Sequence, residues 1–180
     1  MKEKKLTLGK KLIIGFVVII IFLLGAALTY RIIKTQGVIE GFVENSKIDS
    51  PCFVLAAQKS GFKEEVVKQV VDKLKKEEIQ IRVMDVTQLS ELDDSEWDGM
   101  VILTTVESGQ IQKDSHKFLK THVNEYNRIG VVFTADSNSW KQKDIDIDAV
   151  SSASLNRNVN SCVDSVLEKS YDILKRINEK

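Results

Sequence analysis

Apolar residues follow three rhythms along this chain. The first is an unbroken run: residues 12–30, LIIGFVVIIIFLLGAALTY, carry no charge and lie between Lys11 and Arg31. Nineteen residues rising about 1.5 Å each reach roughly 28 Å, close to the hydrocarbon thickness of a bilayer. The second is a set of short runs at 52–57 (CFVLAA), 79–86 (IQIRVMDV, which begins with strict alternation), 100–106 (MVILTTV), 130–134 (GVVFT) and 145–150 (IDIDAV). Runs of this length predict strands, buried on both faces where every residue is apolar. The third is helical spacing. It places Phe62, Val66, Val67, Val70, Val71 and Leu74 on one stripe within 62–78, and Ile111, Phe118, Leu119, Val123 and Tyr126 on another within 110–126. A third stripe, the clearest, runs from Val159 through Cys162, Val163, Val166, Leu167, Ile173 and Leu174 to Ile177.

Strands alternating with helices predict an α/β domain with a parallel sheet covered on both faces. Parallel neighbours need a crossover of about a dozen residues. The connection over 87–99 barely meets this, so its helix must be very short, and the one over 135–144 falls short of a full helix. The expected strand order is 2-1-3-4-5, with the fifth strand at an edge. Ile145 and Ile147 then face inward, while Asp144, Asp146 and Asp148 face water and discourage edge-to-edge pairing.

Charge divides the chain. The first fifty residues hold eight Lys/Arg and four Asp/Glu, leaving 18 against 22 in residues 51–180. A mildly acidic domain has no electrostatic reason to bind nucleic acid. Lys2, Lys4, Lys5, Lys10 and Lys11 precede the apolar run, and only Arg31 and Lys34 follow it closely. The positive-inside rule then makes residues 1–11 a cytoplasmic basic tail, 12–30 a transmembrane helix or signal anchor, 31–50 a spacer and 51–180 an extracytoplasmic domain. A cleavable signal peptide, with Gly25 and Ala27 as the small pair before the cut, is the other reading of the same run. Pro51, the chain's only proline, marks the start of the domain.

The stretch EWDGMVILTTVESGQIQKDSHKFLKTHVNEYNRIGVVFTAD resembles the centre of flavodoxins and of flavodoxin-like quinone and porphyrinogen oxidoreductases. Trp97, Asp98, Gly109, Phe118, Leu119 and Phe133 carry the likeness, which extends in order and spacing over most of 51–180. It implies a flavodoxin-like doubly wound five-stranded sheet, with a ligand beyond the carboxyl ends of the first and third strands. The family's first loop holds the phosphate of FMN. Here that loop is Gln58-Lys59-Ser60-Gly61-Phe62-Lys63, in which Ser60 and Gly61 match, while Gln58 and Lys63 stand where hydroxyls are expected. Lys59 or Lys63 would attract a phosphate as point charges, and the helix start favours an anion. The second loop, Thr104-Thr105-Val106-Glu107-Ser108-Gly109, puts Glu107 where the family has an aromatic against the flavin ring. Trp140, in the loop after the fourth strand, offers an aromatic from the other side, or else closes the end of the sheet.

Residues 148–154, DAVSSAS, resemble a motif of a second family, the FMN-binding domain of membrane electron-transport complexes, whose Thr is esterified by the FMN phosphate. That likeness implies Ser154 as the acceptor, with Ser152 in place of a Gly and Ser151 beside it. The same small and hydroxyl residues also suit the capped entrance of the last helix.

Other constellations carry less. Asp144, Asp146 and Asp148 begin like a calcium loop but lack its Gly and its final Glu. His116 and His122 lie about 240° apart around a helix and cannot share a metal. Cys52 and Cys162 fall at opposite ends of a parallel layer and read as core thiols. Two functional readings follow. One is a membrane-anchored FMN protein serving electron transfer, in effect a flavin-dependent oxidoreductase with a redox partner protein or quinone. The other is a flavodoxin-like fold that has lost its cofactor and acts as a non-catalytic binding or structural module.

Overall fold

The computed structural model describes residues 8–34, 37–46, 50–135, 140, 142 and 144–179. The chain divides into two units, Met1–Gln36 and Gly37–Lys180. The first contains α1 (Leu8–Lys34), within which Gly9–Thr29 has a mean hydropathy of 3.0 and no buried residue. That helix is long and apolar enough to cross a membrane.

The second unit is built on a sheet of β2 (Cys52–Ala57), β3 (Gln80–Asp85), β4 (Gly99–Glu107), β6 (Ile129–Ala135) and β7 (Ala149–Ala153). These pair in parallel in the order β3-β2-β4-β6-β7, the predicted 2-1-3-4-5. Between β3 and β4 the chain makes only 3-10 turns, at Val86–Glu91 and Asp94–Glu96, as the short connection requires. Asp85 starts the first of them as a capping box with Gln88.

Helices cover both faces. α2 (Gly61–Leu74) and α4 (Val159–Asn178) pack on one, around Leu55, Val101, Leu103 and Val132. α3 (Lys113–Thr121) packs on the other, around Val54, Ile102, Val131 and Phe133. Each large side chain fully buried in these layers, such as Phe53 or Leu103, contributes about 1.5–3 kcal/mol. Gly99 lets α4 lie close against the sheet: a Cβ there would meet Ile173 Cγ2 at 2.5 Å.

Three elements depart from expectation. Part of the 31–50 spacer joins the sheet: β1 (Phe42–Glu44) pairs antiparallel with β3. The helix predicted over 110–126 begins later, because Ser108 (φ 52) and Gly109 (φ +77) form a tight hairpin between β4 and β5 (Gln110–Ile111). Two successive positive φ angles are what such a two-residue turn demands. The fifth strand lies over Ala149–Ala153 rather than 145–150. The DIDI alternation is therefore irregular chain, although Ile145 is buried and Ile147 half-buried as expected. No helix occurs among the described residues between β6 and β7.

Candidate functional site

The predicted site residues gather at the carboxyl ends of β2, β4, β6 and β7: Ser60, Gly61 and Lys63 at the start of α2, Thr104 and Thr105 near the end of β4, Ser151 and Ser152 within β7, and Trp140 and Ser154 in the chain that flanks it. Strand pleating sorts them. Thr105 lies on the α2–α4 face with Val101 and Leu103, while Thr104 lies on the α3 face with Met100 and Ile102. Ser152 and Ser151 are divided in the same way.

The α2–α4 side is a closed polar seam. Ser60 is the N-cap of α2, its Oγ accepting the Lys63 N–H at 3.2 Å. Gln58 is buried, and its Oε1 accepts the Thr105 N–H at 3.0 Å. Lys63 is 1% exposed and donates from Nζ to Thr105 Oγ1. Burial pulls the Lys63 amine down from its usual range to about 7, against the nearby carboxylates of Glu107 and Asp85, which favour its charge. Cys162 lies close by. Burial pushes its thiol up to about 11, and the hydrogen bond from Ser152 pulls the other way.

The chain's own spacer lies over this loop. The Lys59 N–H donates to the Gly37 carbonyl at 3.0 Å. The Ile39 N–H donates to Asp85 Oδ2 at 2.8 Å, while Asp85 Oδ1 accepts from the Thr87 N–H and hydroxyl. Asn45 Nδ2 then donates to the Lys75 carbonyl at the far end of α2. Residues 37–45 thus form a strap along the edge of β3 from one end of α2 to the other. Gly37, Ile39 and Asp85 were not among the sequence-predicted site residues. The available signal was Asp85 itself, a carboxylate closing an apolar strand with Gln88 three residues on.

The α3 side is open. Trp140 is half-buried and sits edge-on to Phe133, with ring centroids 4.9 Å apart. A cleft of about 520 Å³ runs between it and the hairpin, bordered by Gly109, Gln110, His116 and Asp144. His116 Nε2 and Lys120 Nζ approach Asp144 Oδ2 at 2.8 and 2.9 Å, and hydrogen bonds from Lys120, Gln142 and His116 hold its carboxyl far below the usual range. Thr104 is fully buried, and its Oγ1 has no hydrogen-bond partner among the described residues. The rest of the loop over 136–140 lies outside the described residues.

The hydroxyl cluster does not form the expected helix entrance. Ser151 and Ser152 belong to β7 and point to opposite faces, Ser151 donating to the Trp140 carbonyl. Ser154 is exposed, and its N–H donates to the Ala135 carbonyl. α4 starts at Val159, and Asn158 at its N-cap makes no side-chain cap, donating instead to the Ala153 carbonyl at 3.0 Å. The three serines therefore neither cap α4 nor converge on one point, because pairing with β6 draws Ser151 and Ser152 into an extended strand and ties the Ser154 backbone to its end.

These positions do not fit the phosphate of FMN in the manner of the resembled loop. A phosphate there needs free amides and hydroxyls. The Lys59 amide is taken by Gly37, the Gln58 carboxamide is turned into the sheet, and the Lys63 side chain is buried beneath the turn. At Gly61 the turn is open, with nothing within 4 Å of a Cβ placed there.

No family model matches the chain, and no curated protein matches it. Solved structures do. A flavodiiron core from Synechocystis matches with a TM-score of 0.51 at 11% identity, over 74% of this chain and 38% of that one. A mutant flavo di-iron protein from Thermotoga maritima matches with a TM-score of 0.47 at 12% identity, over 74% and 37%. A short-chain flavodoxin associated with a bacterial microcompartment matches with a TM-score of 0.42 at 13% identity, over 67% and 99%. The chain spans less than two fifths of the flavodiiron proteins. At these identities the likeness shows the flavodoxin-like fold, and fold alone does not carry function.

Proposed function

We propose that this chain is a membrane-tethered flavodoxin-like binding module in which the strap has taken the place of the FMN phosphate. The observation that carries this is the Lys59 N–H held by the Gly37 carbonyl at 3.0 Å, on the turn that the resembled family uses for phosphate. The buried carboxamide of Gln58 and the buried amine of Lys63 support it from below. The tether rests on the apolar stretch Gly9–Thr29, and the lysines before it favour a cytoplasmic N-terminus with the domain outside. Titrating the full chain in detergent with FMN, followed by quenching of flavin fluorescence, tests the reading. No quenching is expected. Stoichiometric quenching would overturn it.

The second reading is FMN-dependent electron transfer with a redox protein or quinone as partner. The cleft of about 520 Å³ beside Trp140 supports it, since an aromatic edge and an open wall suit a planar ring. On that reading the chain quenches FMN, and Trp140→Ala weakens the quenching. Bound flavin would supply reversible electron storage, with Trp140 orienting its ring.

A further inference from the structure

The outer edge of β1 pairs with no strand among the described residues, and Phe42 and Val43 are 42% and 48% exposed there. A groove flanks β1 on each side. One, of about 480 Å³, runs between the strap and α2 over Val67 and Val71. The other, of about 310 Å³, runs between β1 and the 3-10 turn at Leu92. An extended chain hydrogen-bonded along β1 sends alternate side chains to opposite sides, one set toward each groove.

Charge selects that chain. The groove walls carry Glu40, Glu44, Glu64, Asp72, Glu91 and Glu96 against Lys59, Lys68 and Arg82. Lys59 pairs with Glu64, Arg82 with Glu96, and Asp72 with Lys75. Glu40, Glu44 and Glu91 then outnumber Lys68. A second copy is a poor occupant: antiparallel self-pairing centred on Phe42 sets Glu40 opposite Glu44, like charge against like. We infer that β1 is a docking edge for an extended segment of a partner polypeptide in which apolar and basic residues alternate. The flavin question is separate, because the edge lies along the strap and not in the Trp140 cleft.

The test titrates the full chain in detergent with a labelled short peptide alternating valine and lysine, and with its valine–glutamate counterpart. The lysine peptide is expected to bind at least about tenfold more tightly, and to slow hydrogen exchange at the Phe42–Glu44 amides. The Glu40→Lys, Glu44→Lys double variant, at two exposed positions, is expected to reverse that preference. The milder Glu40→Gln, Glu44→Gln variant lowers affinity for the lysine peptide and serves if the reversal disturbs folding. Equal affinity for both peptides, an unchanged preference in both variants, protection elsewhere than β1, or no binding of the lysine peptide would each overturn the inference.

Discussion

The two faces of the sheet end differ more than their sequences do. Thr104 and Thr105 are identical neighbours, as are Ser151 and Ser152, yet pleating sends one of each pair to either face. On the α2–α4 face, polar side chains meet one another: Lys63 finds Thr105, Ser152 finds Cys162, and the strap closes the turn above. On the α3 face, Thr104 Oγ1 has no partner among the described residues, and a cleft opens beside Trp140. The lesson is that polar residues at the carboxyl end of a doubly wound sheet need not leave a hole. On the α2–α4 face they satisfy each other beneath the strap, whereas on the α3 face the polar pairs around Asp144 border an open cleft.

The sharpest way to break this contrast is through Lys63. Lys63→Ala leaves a cavity and removes a donor, and is expected to cost about 3 kcal/mol in denaturant unfolding of the full chain. Lys63→Met, of similar length and uncharged, should cost far less. The same pair reports on pH. The Lys63 amine lies at about 7 in the fold against an ordinary value of 10.5 in the unfolded chain, so between those values the unfolded chain holds the extra proton and stability rises with pH. Cys162 works in the other direction: its thiol rises from 9.0 to about 11 on folding, so its contribution is lost as pH climbs through that range. Stability should therefore increase by about 2 kcal/mol between pH 7 and pH 9 and then flatten. A wild type with no rise, or a Lys63→Met variant that keeps it, would show that the buried amine is not the source.

Asp85 holds the strap to the closed face. It is 1% exposed and accepts from Ile39 and Thr87, so Asp85→Ala strands buried donors and should cost about 2 kcal/mol. Hydrogen exchange gives the specific readout: the Ile39 and Lys59 amides should lose protection, while those of β6 keep theirs. Uniform loss would mean that the carboxylate supports the whole domain and not the strap.

Much of this was legible along the chain, for identifiable reasons. Continuous apolar runs such as CFVLAA and GVVFT have few alternatives to a doubly covered strand, and connection lengths then settle the order. The strap was not legible. FVE is three residues long with every side chain exposed, so it has no burial pattern to read. The fifth strand misled because DIDI alternates like a strand, whereas the residues that pair are AVSSA, small and hydroxyl-bearing with low strand preference. Its partner β6 decides that register, and partners leave no local trace. The candidate site was half visible: Ser60, Gly61, Lys63, Thr105 and Ser152 do lie at one end of one face, but that they close the site could not be read without knowing where residue 37 goes.

A finer test compares the paired threonines. Thr105→Val removes the acceptor of the Lys63 amine and should cost about 1–2 kcal/mol. Thr104→Val replaces a buried hydroxyl that has no partner among the described residues by a methyl, and should be neutral or stabilising by up to about 1 kcal/mol. Equal costs at both positions, measured as shifts in denaturation midpoint, would erase the distinction between the faces.

The smallest effects fall on the serines, and they separate a structural role from a ligand role. Ser152→Ala should cost about 1 kcal/mol, since the hydroxyl is buried against Cys162. Ser151→Ala loses a half-buried bond to the Trp140 carbonyl and should cost about half of that. Ser154→Ala should stay within about 0.5 kcal/mol, because the side chain is exposed and only its backbone is engaged. That gradient follows burial alone. A covalently attached or phosphate-bound flavin would invert it, making the most exposed serine the most consequential. The intact mass of protein purified from its native cells is therefore the companion measurement: the bare polypeptide mass agrees with the gradient, and a flavin-sized increment lost in Ser154→Ala would replace it.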